Sequence, residues 1–151
     1  MIKDLKAVYA GEQVQAAGIL FIAHDTKNVL TVYRSPQVVD GNCWCSVGGK
    51  IESGETPEQA AVREAKEEIG YDGAVILEPA FVYEDAKLRF NNFIGLVRFQ
   101  FFPELNWESD GYAWTTLENV PKPWHYGLVS LLADSHSSEA ITRMMNAKVN
   151  S

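Results

Sequence analysis

The stretch GGKIESGETPEQAAVREAKEEIG, Gly48 to Gly70, constrains the fold more than any other part of the chain. It holds a helix marked at both ends. Thr56 stands at the N-cap position, Pro57 suits the first helical position, Gln59 completes a capping box with Thr56, and Gly70 is the stop. At about 100° per residue, Glu58, Val62, Ala65 and Ile69 form a stripe expected to pack on a sheet, while Glu64, Glu67 and Glu68 gather on another side. Those glutamates are i, i+3 and i+4 neighbours, where like charges cost roughly a few tenths of a kcal/mol per pair. They also crowd the end of the helix where the dipole disfavours them. Arg63 offers one compensating i, i+4 pair, to Glu67. A solvated acidic face is the plain reading. The other is a cation site: hard divalent ions want clustered carboxylate oxygens, and Mg²⁺ bridges such clusters to phosphates. The Gly48-Gly49 pair would let backbone groups approach the same ligand. On these residues alone both readings stand.

The flanks read as strands. Val14 to Ala23 is a short apolar run, and the β-branched run Asn28 to Tyr33 follows the turn-like HDTKN, which predicts a hairpin. Cys43 to Val47 is expected as a short strand ending at Gly48-Gly49. Beyond the helix, Ala74 to Tyr83, Leu88 to Phe102 and Gly111 to Thr116 read as strands, and Trp124 to Ala133 and Ser137 to Ala147 as helices. Strands mixed with helices, some of them adjacent in sequence, indicate an α/β fold with a mixed sheet covered by helices. The 151 residues suit one domain, residues 1–151.

Charge and composition narrow the function. The net charge of −7 argues against nucleic acid and acidic lipid as partners, and makes an intermediary cation expected for any anionic ligand. No apolar run approaches the roughly 20 residues that span a bilayer. The start, MIKDLKAVYAGEQ, lacks the apolar core of a secretory signal. Cys43 and Cys45, at i, i+2, sit poorly for a mutual disulfide, and no second Cys or His pair has metal-ligand spacing. They are expected as reduced packing residues, which points to a cytoplasmic protein.

Letter by letter, the helix and its preceding loop resemble the Nudix signature, G-x5-E-x7-R-E-U-x-E-E-x-G-U, where U is bulky and aliphatic. Gly49, Glu55, Arg63, Glu64, Glu67, Glu68 and Gly70 all stand at their spacing. The run GGKIESGETPEQA is similar to the MutT branch, and the likeness covers roughly Val14 to Pro121. Both U positions depart from the pattern, Ala65 being small and Tyr71 aromatic, and Val47 stands where many relatives have proline.

The resemblance implies an α/β/α sandwich around a mixed sheet and hydrolysis of a pyrophosphate linkage in a nucleoside diphosphate joined to another moiety. It implies Mg²⁺, with Mn²⁺ as the alternative ion, held by Glu67, Glu68, the Gly49 carbonyl and Glu64, with Glu64 as a further ligand or as the base that activates water. Arg63 and Glu55 would hold the site in shape. Outside the signature, Glu108 in WESDG is the expected additional carboxylate, metal ligand or base, with Asp110 and Glu104 as rivals. Arg34, Lys50, Arg89 and the ring of Tyr83 are candidates for binding substrate. The substrate is expected to be an adenine-type nucleotide derivative such as ADP-ribose, FAD or a dinucleoside polyphosphate. The alternatives are a nucleoside triphosphate as in MutT, an RNA 5′ end, and a module that senses nucleotides without cleaving them. Homodimers are common among related proteins, and the Leu88 to Phe102 strand could serve as the interface of one.

Overall fold

Strand β1, Val14–Ala23, organises the fold because its alternate residues face two different cores. Ala17, Ile19, Phe21 and Ala23 enter one apolar cluster, and Leu20 and Ile22 enter another on the opposite face. The structure, a computed structural model, describes residues 12–148, so most of the MIKDLKAVYAGEQ segment lies outside the described residues. After β1 come β2 (Val29–Arg34), β3 (Trp44–Cys45), β4 (Val47–Lys50), helix α1 (Pro57–Ile69), β5 (Ile76–Glu84), β6 (Leu88–Val97) and β7 (Ser109–Thr115). A 3₁₀ turn, Leu117–Asn119, precedes helices α2 (Tyr126–Ala133) and α3 (Ser135–Met145).

The strands form a seven-stranded mixed sheet whose main path runs β3-β2-β1-β6-β5. The β1–β6 pair is parallel, and the other strand pairs are antiparallel. Helix α1 supplies Ala60, Ala61, Ala65 and Ile69 to the core on one face. Helices α2 and α3 supply Leu128, Leu131, Ala140, Ile141 and Met144 to the core on the other. This is the expected α/β/α sandwich.

One irregularity positions the site. The N-terminal half of β1 pairs with β4, Ala16 to Lys50 through Ile19 to Val47, whereas its C-terminal end pairs with β2, Ile22 to Val29. The sheet therefore splits on that side of β1, with the β3–β4 corner in the fork. This corrects the expected single strand Cys43 to Val47: there are two strands, and Gly48 and Gly49 lie inside β4 rather than after it. The glycines serve packing there. A Cβ on Gly48 would fall 2.5 Å from the Ala17 carbonyl oxygen and 2.9 Å from the Phe90 ring.

Strand β6 is also shorter than expected, ending at Val97 instead of Phe102. It is paired on both sides, with β1 and β5. The hairpin of β1 and β2, and the caps of α1, are as the residues indicate. Thr56 and Gln59 bond each other's backbone N–H reciprocally, and Gly70 closes the helix at φ 71°.

Candidate active site

The face of α1 that meets the sheet differs from the expected stripe. Glu58 is exposed and Val62 is 42% exposed, while Ala60, Ala61, Glu64, Ala65, Glu68 and Ile69 are buried. The stripe is rotated because small alanines let the helix axis come close to β1 and β4. Two of the three glutamates are thereby carried into the interior and not onto a solvated face. Glu64 is 5% and Glu68 6% exposed, while the side chain of Glu67 remains 55% exposed. The atypical Ala65 and Tyr71 fit the same geometry. Tyr71 stacks on Phe101 at 4.3 Å between ring centroids and meets Phe21 edge-on at 5.4 Å, filling space beside the short Ala65.

Gly49 is needed for Glu64. A Cβ there would stand 2.4 Å from the Glu64 carboxyl carbon, so the carboxylate rests on the bare backbone of β4. Glu68 reaches the same strand, where the Gly48 N–H donates to it. That donor does not balance its surroundings. Burial first, then the charges of Glu108 and Glu64, push the Glu68 carboxyl well above the usual carboxylate range. Glu108 thus acts on Glu68 although the two are far apart in the sequence.

The loop that carries Glu108 is tied to the end of α1. Glu104 N–H donates to Ile69 O at 2.9 Å, Asn106 N–H to Glu68 O at 3.0 Å, and Asn106 Nδ2 to Glu67 O at 3.2 Å. These bonds satisfy carbonyls that the last helical turn leaves open. Asn106 Oδ1 accepts the Glu108 N–H at 3.0 Å, and Glu108 O accepts the Ser35 N–H at 2.9 Å, so Glu108 is fixed from both sides. Asn106 was not singled out in the sequence; its place after a proline-containing loop gave no local signal of its partner. Asp110 is exposed on β7 and Glu104 is exposed beside Gly70.

Arg63 organises the other flank. Its Nε donates to Glu55 Oε2 at 2.7 Å and its Nη2 to Glu55 Oε1 at 3.0 Å, a bidentate pair, and Nη2 also bonds the Lys50 carbonyl at 2.9 Å. Its Nη1 touches Glu64 Oε1 and Glu67 Oε2, each at 3.1 Å. These carboxylates raise the Arg63 pKa further, Glu55 most of all. Glu55 in turn is held below the usual carboxylate range, chiefly by the Arg63 hydrogen bond. The loop Lys50–Thr56 is thus locked onto α1.

The donor set suits a hard divalent cation. Glu68, Glu64 and Glu108 bring mutually repelling carboxylates together, and a bound cation is the species that removes such repulsion. Among the described residues, no three acidic, His or Cys side chains already enclose an ion-sized point. Arg63 draws Glu67 and one Glu64 oxygen toward itself.

The substrate candidates separate into two groups. Arg34 and Tyr83 line a pocket at the fork of the sheet, together with Gly48, Phe90, His125 and Tyr126. Arg34 is only 5% exposed, and it is not the surface cation its sequence context suggests. Its Nε donates to Asp40 O at 2.9 Å, its Nη2 bonds Val39 O, and its Nη1 faces Cys45 Sγ at 4.0 Å. Lys50 is exposed at the end of β4, and Arg89 pairs with Glu84 at 2.9 Å across β5 and β6. Neither lines the pocket. Both cysteines are free, and burial pushes the Cys45 thiol up to about 12, so it is inert packing rather than a nucleophile.

Comparison with known proteins bears on the family and the fold. The family model described as NUDIX domain matches residues 12–134. Dihydroneopterin triphosphate diphosphatase of Escherichia coli strain K12 is 46% identical over 54 residues, which is 36% of this chain and 34% of that protein. The 8-oxo-dGTP diphosphatase of Proteus vulgaris is 46% identical over 57 residues, 38% of this chain and 49% of that protein. The aligned region thus spans between about a third and half the length of these curated relatives. Among solved structures, a Nudix hydrolase from M. smegmatis, RenU, superposes with a TM-score of 0.75 at 24% identity, covering 92% of this chain and 91% of that one. At that identity the likeness speaks for the fold.

Proposed function

The chain belongs to the Nudix family, and from that premise we propose that it hydrolyses a phosphoric anhydride bond in a nucleotide-like substrate with the help of a divalent cation. The observation that carries the reading is Glu68. A carboxylate 6% exposed and pressed by Glu108 and Glu64, with the Gly48 N–H donating to it among the described residues, is destabilising as an anion unless a proton or a metal cation joins it. Glu64, Glu67, Glu68, Glu108 and the Gly49 carbonyl are the proposed ligand set, with Mg²⁺ the proposed ion and Mn²⁺ its substitute. A bound ion of this kind supplies charge neutralisation at phosphate oxygens and lowers the pKa of a coordinated water.

The protein's own groups do the rest. Glu64, seated on Gly49, is the proposed base that takes a proton from the attacking water. Arg63 holds one Glu64 oxygen by a charged hydrogen bond, which fixes the carboxylate's direction. Glu55 holds Arg63, and through it the Lys50–Thr56 loop. Glu108, anchored by Asn106 and Ser35, faces Glu68 from the opposite wall.

An adenine-type derivative with a second group beyond its diphosphate remains the leading substrate proposal, since the pocket beside the glutamates offers aromatic walls. A triphosphate is the second reading, favoured by two similar proteins that are each named as diphosphatases of a triphosphate. One panel decides between them: ADP-ribose, FAD, diadenosine tetraphosphate, the four NTPs and their oxidised purine forms, each with Mg²⁺, with products identified by chromatography. Release of a nucleoside monophosphate and a phosphorylated partner supports the first, and release of pyrophosphate supports the second. No Mg²⁺-dependent product from any of them would refute the hydrolase reading.

A further inference from the structure

Arg34 is 5% exposed, yet its guanidinium bonds no carboxylate among the described residues: its nitrogens face two backbone carbonyls and a thiol. A cation taken out of water without an anionic partner is costly, and an apolar side chain would fill the same space without that cost. What the charge holds is shown by the two carbonyls. They belong to Val39 and Asp40, in the loop 35–43 that joins β2 to β3.

That loop is wound about the guanidinium. Two backbone bonds close its base, Arg34 N–H to Cys43 O at 2.8 Å and Asn42 N–H to Arg34 O at 2.9 Å. Within it, the Cys43 thiol donates to the Asp40 carbonyl at 3.1 Å. Gly41 passes so near the start of the loop that a Cβ there would fall 2.2 Å from the Ser35 carbonyl oxygen. Asp40 at φ 53° and Asn42 at φ 59° stand in the left-handed region, which residues with a side chain keep where their surroundings enforce it. The planar Arg34 fork, with its fixed donor directions, supplies that constraint at Asp40.

The near end of the loop bears on the glutamates. The β2–β7 ladder breaks register between Tyr33 and Arg34, pairing Tyr33 with Gly111 and Arg34 with Ser109, so Asp110 is the extra residue of a bulge. One residue further along, the Ser35 N–H donates to the Glu108 carbonyl at 2.9 Å. Ser35 is 3% exposed, and its other polar groups turn back into the loop. Its Oγ accepts the Gln37 N–H at 3.2 Å and its carbonyl accepts the Val38 N–H at 3.3 Å. The loop therefore aims the Ser35 amide, and Glu108 in turn acts on Glu68.

We propose that Arg34 is a positioning residue for the cation site: by winding the 35–43 loop it aims the Ser35 N–H at the Glu108 carbonyl and so fixes where Glu108 meets Glu68. The proposal rests on the reading of Glu108 as a metal ligand. Two simpler roles make different predictions. A cation acting only by its charge near the carboxylates would oppose metal binding, so its removal would tighten binding. A cation reserved for a substrate phosphate would leave the binding of metal alone unchanged.

The test needs no substrate. Mn²⁺ alone is titrated, with electron paramagnetic resonance as the readout, into wild type, Arg34→Met, Glu108→Gln and the double variant. Arg34→Met is expected to weaken Mn²⁺ about tenfold, the scale of an outer partner that orients a ligand. Glu108→Gln is expected to weaken it at least as much, and adding Arg34→Met to that variant is expected to change little, because both act through one carboxylate. Arg34→Lys keeps the charge without the fork and is expected to stay weak. Gly41→Ala, which presses on the Ser35 carbonyl with Arg34 intact, is expected to reproduce the loss. Hydrogen exchange reads the same link without metal. The Ser35 amide is expected to exchange about tenfold faster in Arg34→Met and in Gly41→Ala than in wild type. The Leu20 amide in β1 should keep its protection and so report that each variant is folded. Unchanged or tighter Mn²⁺ binding in folded Arg34→Met, full rescue by Arg34→Lys, additive losses in the double variant, or an unchanged Ser35 exchange rate would each overturn the assignment. Wild type that binds no Mn²⁺ while Ser35 exchange responds to Arg34 would defeat the cation reading and leave the aiming of Ser35 standing. Mn²⁺ binding weakened in Glu108→Gln and kept in Arg34→Met would defeat the positioning role alone.

Discussion

Two buried titratable residues stand in opposite relations to stability. Glu68 has its carboxyl raised by burial and by Glu108 and Glu64, so the folded state holds a proton more tightly than the unfolded chain does. The folded state is then favoured at low pH and loses that advantage as pH rises past the ordinary carboxyl value. Glu68→Gln removes the penalty. Without divalent ion at pH 8, its melting temperature is expected to rise, by roughly 3 °C for each kcal/mol of relieved repulsion, while turnover is lost. A melting temperature unchanged or lowered would show that Glu68 is not strained in the metal-free protein. His125 runs the other way. Its pKa is lowered to about 4, so the unfolded chain takes up a proton that the folded one refuses. This contribution is complete above the ordinary histidine value and is lost as pH falls from there toward the lowered one. Its full extent is on the order of 3 kcal/mol. Urea midpoints from pH 7.5 to 4.5 should fall more steeply for wild type than for His125→Leu. Parallel curves would mean the imidazole is not held neutral by the fold.

At the level of elements, α1 is braced at its two ends for different reasons. Thr56 and Gln59 cap the start, on exposed positions, far from the carboxylates along the helix. Asn106 braces the finish and at the same time receives the Glu108 N–H. Thr56→Ala and Asn106→Ala are each expected to cost about 1 kcal/mol of stability. Only Asn106→Ala should also lower kcat, by about tenfold or more, because Glu108 loses its anchor; equal kcat in the two variants would make the loop a simple cap. The first of these braces is legible in the sequence and the second is not, and the difference is one of range. Capping boxes, the Gly70 stop, the β1–β2 hairpin and the spacing of the signature are local patterns, encoded within a few residues of one another. The rotation of the α1 stripe depends on how closely small side chains let a helix approach its sheet, which periodicity alone does not carry. The placement of Gly48 and Gly49 inside β4 depends on Ala17 and Phe90, distant residues that forbid a Cβ at Gly48. The same holds for Arg34, whose burial follows from the Val39–Asp40 carbonyls folding back over it.

For the molecule as a whole, the net charge of −7 and the cluster on α1 make two different predictions about cations. A diffuse excess of negative charge is relieved by any salt, over a Debye length of about 8 Å at physiological ionic strength. A built site answers to the ion that fits it. Thermal unfolding with and without the ion separates the two. Mg²⁺ at a hundredfold excess over its dissociation constant is expected to stabilise wild type by about 2.7 kcal/mol. NaCl at matched ionic strength should give a small fraction of that. The double variant Glu64→Gln, Glu68→Gln should melt higher than wild type without Mg²⁺ and gain little when it is added. If NaCl matched the Mg²⁺ effect, or if the double variant gained as much as wild type, the glutamates would be an acidic face responding to screening. If only wild type gains, the repulsion among Glu64, Glu68 and Glu108 is relieved at one place, by the ion they were assembled to hold.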